Sequence, residues 1–441
     1  MHQVLSGRSY HGGHGMRACV IGAGLGGMLT AAKLCKMGCD VEVFEQLPFI
    51  GGRFTNIEYK GYQLTTGAMH MIPHGNTGPL STLLSDVGAD VDIISSHPAI
   101  TIRIPDGDSF EDVQFGELVS RLGFWNKLMY KLLILEARLS GAGNNHSFKY
   151  WISRRLHDEA ALNFADTFCG WALSVTSEQI TAKEGVAIIK NIYNRGGSGI
   201  PVGGCKAIID ALSEVIKQSG GKIHTNHKVE KIILENDVIK SIRVKNRNLA
   251  YDVIISNLGH IETQKLIHIT GSGNYTAARE YKNKLASIVP SAGIKINIAS
   301  DTPLIDHTGV LLTPYARRIN GLNQVTNADP TLAPPGKHLI MAHIAVRSSD
   351  LEREARLGLE DLKTILHGVN YEVLMVQTYH SRWPVNRCIS GRDIGNTTPY
   401  KHLYVVGDGA KGCGGIEVDG IALGVENTVK EIMQLQSTIS F

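Results

Sequence analysis

Several features that would indicate other classes of protein are missing from this chain of 441 residues. No segment offers the ~18 consecutive apolar residues that a membrane-spanning helix needs. Basic and acidic residues number 44 and 41 and form no long block of like charge, which argues against a nucleic-acid partner. The 7 cysteines are widely spaced and contain no CxxC pair, which argues against a zinc site or a disulfide framework. We therefore expect no bound metal.

Signatures of hydrolases and kinases are absent as well. No Ser-His-Asp order, HExxH motif, P-loop or paired-carboxylate spacing stands out. Residues 1–15 lack the apolar core of a signal peptide, and we expect them to form a flexible tail. The unpaired cysteines fit a reducing compartment, so the expected location is cytoplasmic.

The chain is long enough for more than one folded unit. Its 441 residues exceed the ~250–300 at which a single hydrophobic core stops growing. Apolar residues make up 43% and charged residues 19%, which is typical of a globular protein. We therefore expect two domains.

A glycine-rich turn between two apolar runs is the strongest local signal. Residues 18–21 are typical of a strand buried on both faces of a parallel sheet. Gly22, Gly24 and Gly27 then complete the pattern G-x-G-x-x-G, and a helix is predicted over residues 29–36. These glycines allow a tight turn and a close approach to a pyrophosphate, which the helix N-terminus attracts. The turn therefore predicts a bound dinucleotide.

An acidic residue follows where such a motif expects one. A second predicted strand, 40–44, ends at Glu45, about twenty residues beyond the glycines. Its carboxylate can accept hydrogen bonds from both ribose hydroxyls, and its charge disfavours a 2′-phosphate. The motif alone predicts FAD or NAD. Only one such motif is present, which argues against a separate nicotinamide domain.

From this point the sequence resembles the FAD-dependent amine-oxidase superfamily. Gly51, Gly52 and Arg53 are similar to its Gly-Gly-Arg element, and the hairpin that leads to Gly67 is similar to that of its phytoene desaturase branch. The resemblance covers almost the whole chain and implies that the dinucleotide is FAD. It also implies that Arg53 lies against the FAD pyrophosphate, a charge-assisted contact.

Two later stretches resemble the same branch. A predicted strand over 403–406 precedes Gly407 and Asp408, and the last helix opens within 418–424, where its N–H groups would face the flavin pyrimidine ring. The stretch GIPVGGCKAIIDAL leads to Val229, whose backbone would lie on the adenine. With the motif residues, the resemblance implies FAD contacts from Gly22, Ala23, Gly24, Gly26, Gly27, Glu45, Gly52, Arg53, Gly67, Ala68, Met69, Val229, Gly407, Asp408, Gly420 and Ile421.

The resemblance implies an α/β fold with a Rossmann-type FAD-binding domain and an α+β substrate domain. The FAD-binding domain is expected to be discontinuous and to comprise residues 16–75, 196–262 and 396–441. The substrate domain is expected to comprise residues 76–195 and 263–395.

Hydrophobic spacing predicts helices in the first part of the substrate domain and strands over 290–348. One predicted helix, 123–139, mixes aromatic and long apolar residues with Lys127, Lys131 and Arg138. It has two interpretations. It can lie in a membrane interface, as a peripheral contact that admits a lipid substrate, or it can be a core helix of the substrate domain.

The hairpin that would approach the flavin departs from the branch. Relatives commonly have Asp-Leu-Gly-Pro where this chain has Thr-Thr-Gly-Ala over 65–68. Met69 and His70 follow, and the resemblance implies that they lie near the ring. Because histidine titrates near neutral pH, His70 is a candidate general acid or base. The alternative is a hydrogen-bonded structural residue.

The resemblance implies an FAD-dependent oxidoreductase that acts on a small apolar substrate, an isoprenoid or lipid chain. The branch includes desaturation, saturation, isomerisation and hydration, and the fold alone does not select among them. The redox reactions imply an electron partner, which the sequence does not identify. A flavin amine oxidase is the alternative, which an aromatic cage and a lysine near the flavin would favour. A third hypothesis is a non-catalytic protein that binds FAD.

Overall fold

The computed structural model describes residues 15–107, 109–121, 123–139, 146–270, 276–381, 388–389 and 394–439. Except for Gly15, the predicted flexible tail lies outside these residues. The strands are β1 (Arg17–Ile21), β2 (Asp40–Phe44), β3 (Asn56–Tyr59), β4 (Tyr62–Thr65), β5 (Ile93–Ser95), β6 (Ile100–Asp106), β7 (Ser109–Gln114), β8 (Gly199–Pro201), β9 (Lys222–His224), β10 (Val229–Glu235), β11 (Val238–Val244), β12 (Arg247–Leu249), β13 (Val253–Ser256), β14 (Ile267–Thr270), β15 (Gly293–Ser300), β16 (Val310–Leu312), β17 (Ile319–Gln324), β18 (His338–Ala345), β19 (Glu372–Tyr379) and β20 (Leu403–Val405).

The α-helices follow in the same chain order. They are α1 (Leu25–Lys36), α2 (Pro79–Val87), α3 (Phe115–Arg121), α4 (Phe124–Leu139), α5 (Phe148–Ser153), α6 (Glu159–Leu173), α7 (Ala182–Arg195), α8 (Gly204–Gln218), α9 (Gly259–Leu266), α10 (Thr276–Ala286), α11 (Leu351–Ile365) and α12 (Glu417–Ile439). Within the described part of the chain, no helix combines the length and apolar character needed to cross a membrane.

A five-stranded parallel sheet forms the first layer of the fold. Its strand order is β20-β13-β1-β2-β9, and every neighbouring pair is parallel. The fold is of the α/β class, and these strands come from all three segments predicted for the FAD-binding domain. Helices α1, α8 and α12 pack on this sheet in one apolar core. In such sheets, ligands bind beyond the carboxyl ends of the strands.

The predicted boundary at residue 75 leaves out a helix that packs on this core. Helix α2 buries Leu80, Leu83, Leu84 and Val87 in the same apolar cluster as α1 and α12. Helix α2 therefore packs in the core of the five-stranded sheet, although the predicted boundary assigns it to the substrate domain.

A seven-stranded sheet, ordered β19-β15-β18-β17-β16-β6-β7, forms the second unit. The strands predicted over 290–348 are confirmed as β15 to β18. Helices α2 to α7 confirm the helical prediction for residues 76–195, but this part also contains β5, β6 and β7. Charged residues interrupt the apolar pattern of β6 and β7, so periodicity did not reveal these strands.

The two faces of the seven-stranded sheet differ in polarity. On β15, Ile294, Ile296 and Ile298 pack in an apolar cluster with Leu362 of α11. The alternate positions point the other way, because successive side chains of a strand face opposite sides. Lys295, which reaches the hairpin of β3 and β4, lies on this second face. The polar face of the sheet therefore supports the hairpin.

Candidate functional site

A cavity of about 630 Å³ lies at the carboxyl ends of β1 and β2. Its volume is within the range typical of small-molecule and cofactor sites. The glycine turn and Glu45 line it in the region of the five-stranded sheet, together with Val229. Another part of its wall carries Met69 and Met71, beyond the hairpin. The cavity therefore connects the two units of the fold.

The glycine turn is shaped so that larger residues do not fit. Gly22 has a φ of +94°, which favours glycine. A Cβ atom on Gly27 would lie 2.1 Å from the carbonyl oxygen of Gly22, and one on Gly26 would lie 2.9 Å from the backbone nitrogen of Gly407. Helix α1 begins after Gly24, with no side-chain cap and no acidic residue in its first turn. Its N-terminal N–H groups are therefore available to an anionic ligand.

Glu45 is held at the end of β2 by the backbone around it. Its Oε2 accepts a hydrogen bond from the N–H of Ala23 at 2.8 Å, and its Oε1 accepts one from the N–H of Leu47 at 2.8 Å. Each carboxylate oxygen has further lone pairs. The side chain is therefore oriented and still able to accept ribose hydroxyls.

Arg53 and Asp408, which are 355 residues apart in the sequence, form an ion pair in the cavity wall. The Nη2 of Arg53 lies 2.8 Å from the Oδ2 of Asp408. The Nζ of Lys411, a residue that the sequence analysis missed, lies 3.0 Å from the Oδ1 of Asp408. All three side chains line the cavity. Lys411 comes three residues after Asp408 in the sequence, but no motif around it predicted that it would pair with this acid.

The hairpin wall depends on a buried lysine that the sequence analysis also missed. The Nζ of Lys295 donates hydrogen bonds to the carbonyl oxygens of Thr65 and Gly67, each at 2.6 Å. The hydroxyl of Tyr379, which lines the cavity, also donates to the Gly67 oxygen, at 2.7 Å. Burial lowers the pKa of Lys295 to about 7, against a smaller opposing effect of Cys205. A lysine inside the alternating run GIKINIAS was the available signal.

His70 lies behind the hairpin rather than on the surface of the cavity. Its side chain is fully buried, and its Nε2 accepts a hydrogen bond from the N–H of Thr65 at 3.0 Å. Among the described residues its Nδ1 has no partner. Burial, with the positive charge of Lys295, lowers the pKa of His70 to about 3, so its imidazole is neutral. The acid-base role of His70 stays a prediction, without a contact to the cavity wall.

A second buried histidine, His343, is hydrogen-bonded to a serine that lines the cavity. The Oγ of Ser174 lies 2.9 Å from the Nε2 of His343, and Ser174 lines the cavity. Ser174 ends α6 with a φ of +54°, an uncommon conformation for a residue other than glycine. Burial, with the charge of Lys295, lowers the pKa of His343 to about 3. Neither residue was predicted from the sequence, since the two belong to elements far apart in the chain.

The predicted contacts can now be sorted by position. Ala23, Gly27, Gly420 and His70 are not part of the cavity wall. Gly420 instead accepts a hydrogen bond from the N–H of Gly412 through its carbonyl oxygen, at 2.9 Å. The predicted residues that line the cavity are Gly22, Gly24, Gly26, Glu45, Gly52, Arg53, Gly67, Ala68, Met69, Val229, Gly407, Asp408 and Ile421.

The model of the family described as flavin containing amine oxidoreductase matches residues 25–410. The chain belongs to this family. The crystal structure of an oxidoreductase from Methanosarcina mazei has a sequence 50% identical to this chain and superposes on it with a TM-score of 0.90. The match covers 94% of this chain and 100% of the other. An uncharacterized protein of Methanocaldococcus jannaschii is 44% identical over 95% of this chain and 100% of its own length.

Two further relatives of this flavin-containing oxidoreductase have named activities. A neurosporene-forming phytoene desaturase of Cereibacter sphaeroides is 25% identical over 55% of this chain and 52% of its own. The prolycopene isomerase of Daucus carota is 23% identical over 89% of this chain and 76% of its own. The protein therefore falls in the phytoene desaturase-like branch, and it is an FAD-dependent oxidoreductase.

The residues of the cavity fit FAD. The glycine turn and the uncapped N-terminus of α1 match a pyrophosphate, and Glu45 can meet a ribose. Arg53 and Lys411 supply positive charge beside the turn, with Asp408 between them. Since Glu45 and the turn lie in the region of the five-stranded sheet, the part of the cavity walled by the hairpin is left for the flavin ring. We call this part the ring end and define it by the lining residues Gly67, Ala68, Met69, Met71, Tyr379, Glu417 and Ile421.

Proposed function

We propose that this flavoenzyme acts on an apolar isoprenoid or lipid chain, by desaturation, saturation, isomerisation or hydration. The observation that carries the proposal is the apolar wall of the ring end, where Ala68, Met69, Met71 and Ile421 line the cavity. The activities named for the Cereibacter and carrot relatives support it. Bound FAD supplies hydride acceptance or donation. The protein contributes the placement of the substrate and the exclusion of water.

The positions of the individual side chains support the roles that we propose for them. The turn from Gly22 to Gly27 holds the pyrophosphate, and Glu45 holds the adenosine ribose. Arg53 faces the phosphates and is oriented by its ion pair with Asp408. Lys295 fixes the hairpin by its two hydrogen bonds, so that Gly67, Ala68 and Met69 form a defined wall.

We also propose that the protein makes peripheral contact with the cytoplasmic face of a membrane through α4. Phe124 and Trp125 are 73% and 71% exposed, and Leu128, Leu132 and Leu135 are exposed on the same helix. Their spacing keeps them on neighbouring turns, whereas Leu133 and Ala137 are buried in the core beneath. Such a contiguous exposed apolar surface is typical of an interaction site. It offers a lipid substrate a route from the bilayer.

A flavin amine oxidase is the second candidate, because a buried lysine lies beneath the hairpin. Lys295 meets the lysine criterion, and Tyr379 contributes one aromatic side chain to the wall. However, the carbonyls of Thr65 and Gly67 separate the Lys295 amine from the cavity. Among the described residues, Phe44, Phe54 and Tyr379 are the aromatic ones that line the cavity. Phe44 stacks on His224 and Phe54 packs in the core of the five-stranded sheet, so no aromatic cage is seen around Tyr379.

Comparison of isoprenoid lipids from cells with and without the protein tests the proposal. A change in hydrogen content supports desaturation or saturation and gives its direction, a gain of water supports hydration, and a changed isomer at constant mass supports isomerisation. Lipids unchanged in mass and isomer composition would count against an isoprenoid substrate. Bleaching of the bound flavin by primary or secondary amines under anaerobic conditions would then support the amine oxidase.

A further inference from the structure

Glu417 brings an ionisable group to the ring end that the proposed reaction does not use. It is the first residue of α12, and its φ of +41° places it in the left-handed region, which is uncommon for a residue with a side chain. The residue is half-buried and lines the cavity beside Val418 and Ile421. A strained, cavity-facing position at a functional site is a reason to ask what its side chain does.

The carboxyl group of Glu417 has no partner within the described part of the chain. The nearby acid Asp408 contacts both cations of the wall: Arg53 reaches its Oδ2 and Lys411 its Oδ1. No ion pair or hydrogen bond joins the Glu417 side chain to any described residue. A partly desolvated carboxyl group without a partner is costly when ionised.

Burial favours the neutral form of this group. Burial raises the pKa of Glu417 to about 8, and Asp419 and Asp408 add to the increase, whereas Lys411 opposes it. Burial raises the pKa of the Cys205 thiol, which is close enough to feel the charge of Glu417, to about 12, so this thiol stays neutral. Glu417 is therefore a carboxylic acid, able to donate a hydrogen bond, at neutral pH.

We propose that Glu417 is a positioning residue of the flavin site, which in its protonated form donates a hydrogen bond to bound FAD and loses this contact when it ionises. The side chain lines the ring end, has no partner among the described residues, and faces the part of the cavity assigned to the flavin ring, which offers hydrogen-bond acceptors. The neutral acid can donate a hydrogen bond to an acceptor atom of the flavin, whereas the carboxylate has no proton to donate. The proposal concerns the cofactor alone and does not depend on which substrate is correct.

The dissociation constant of FAD for the apoprotein, measured from pH 6 to pH 10, tests this inference. Above the pKa of Glu417, the dissociation constant should rise with pH, by at most about tenfold per pH unit, because ionisation removes the binding form. Glu417→Gln stays neutral and should remove this rise. Glu262→Gln is the matched control, since Glu262 lines the cavity elsewhere and is paired with Lys265 at 2.7 Å. It should keep the rise.

Proton uptake during reduction gives a second readout. When dithionite reduces the bound flavin at pH 9, the added negative charge should raise the pKa of Glu417. The carboxylate then takes a proton from solvent and becomes the acid. The wild-type protein should take up more protons per flavin than Glu417→Gln, and Glu417→Asp should retain the additional uptake.

Equal pH dependence of FAD binding and equal proton uptake in the wild type and Glu417→Gln would overturn the proposal. A folded Glu417→Gln protein that binds no FAD at any pH would overturn it as well, since a neutral donor is retained. If Gln at this left-handed position prevents folding, Glu417→Asp decides. Its pH-dependent binding supports the proposal, and pH-independent binding rejects it.

Discussion

Replacement of Lys295 by methionine should change how the stability of the protein depends on pH. The lysine is fully buried, and its Nζ donates to the carbonyl oxygens of Thr65 and Gly67. A neutral amine has two N–H groups and satisfies both carbonyls, whereas an ammonium group has a third. The described residues supply no third acceptor. The geometry therefore agrees with an amine that is readily deprotonated in the folded state.

The size of the effect follows from the two pKa values. Burial lowers the pKa of Lys295 from its ordinary 10.5 to about 7. Below pH 7 both the folded and the unfolded states bind the proton, and the folded state carries the full cost of the buried charge. Between pH 7 and pH 10.5 only the unfolded state stays protonated, so the free energy of unfolding rises with pH. At about 1.4 kcal/mol per pH unit, the gain over this interval is on the order of 5 kcal/mol.

Urea unfolding of the apoprotein at several pH values between 6.5 and 10 measures this gain. The free energy of unfolding of the wild type, minus that of Lys295→Met, should increase with pH, because groups common to both proteins cancel. Lys206→Met is the control, since Lys206 is exposed and pairs with Asp210 on the surface. A constant difference between the wild type and Lys295→Met would refute the assignment of a strongly lowered pKa.

Three further substitutions probe the site and the proposed membrane surface. Gly27→Ala should weaken FAD binding about fivefold or more, measured by flavin fluorescence, since the new Cβ would lie 2.1 Å from a carbonyl oxygen and overpacking costs about 1–3 kcal/mol. Trp125→Glu should reduce liposome co-sedimentation about tenfold with FAD retained, because an apolar side chain leaves the interface. Phe110→Glu, at another exposed aromatic position, should leave co-sedimentation unchanged. If Trp125→Glu co-sediments with liposomes as the wild type does, the membrane proposal is wrong. His70→Ala should lower stability by about 1–3 kcal/mol, measured by urea unfolding, as Thr65 N–H loses its buried acceptor; the acid-base role requires in addition a strong fall in turnover with FAD bound, and near-normal turnover rejects it.

The part of the cavity wall formed by the glycine turn and Glu45 could be predicted from the sequence because its constraints are local. A tight turn followed by a helix N-terminus needs glycine at fixed spacing, and the short distances around Gly27 show why. The position of Glu45 could be predicted because one helix and one strand of ordinary length separate it from the glycine turn. Arg53 and Asp408 were found through the resemblance, and the structure places them in contact.

The ring end could not be predicted in the same way, because distant strands build it. Lys295 reaches Thr65 across 230 residues, and Tyr379 reaches Gly67 across 312. Lys295 and Tyr379 each lie on a strand in which side chains alternate between the two faces of the sheet. This alternation does not show which other part of the protein the polar face will contact. Glu417 was missed for a different reason, since an acidic residue at the start of a helix is ordinary in sequence.

The distribution of charge along the cavity bears on the choice between the two proposed substrate classes. One group of fixed ions surrounds Asp408, beside the region assigned to the pyrophosphate, and Glu45 and the Glu262–Lys265 pair also line the cavity. Behind the wall of the ring end, His70 and His343 are neutral because burial lowers the pKa of each to about 3. Lys295 gives up its proton readily, and Glu417 is protonated at neutral pH. A cationic amine would find no fixed anion among these four groups, and an apolar chain requires none. The electrostatics of the ring end therefore support the apolar substrate, and ionisation of Glu417 at alkaline pH would be the change that makes the site more favourable to a cation.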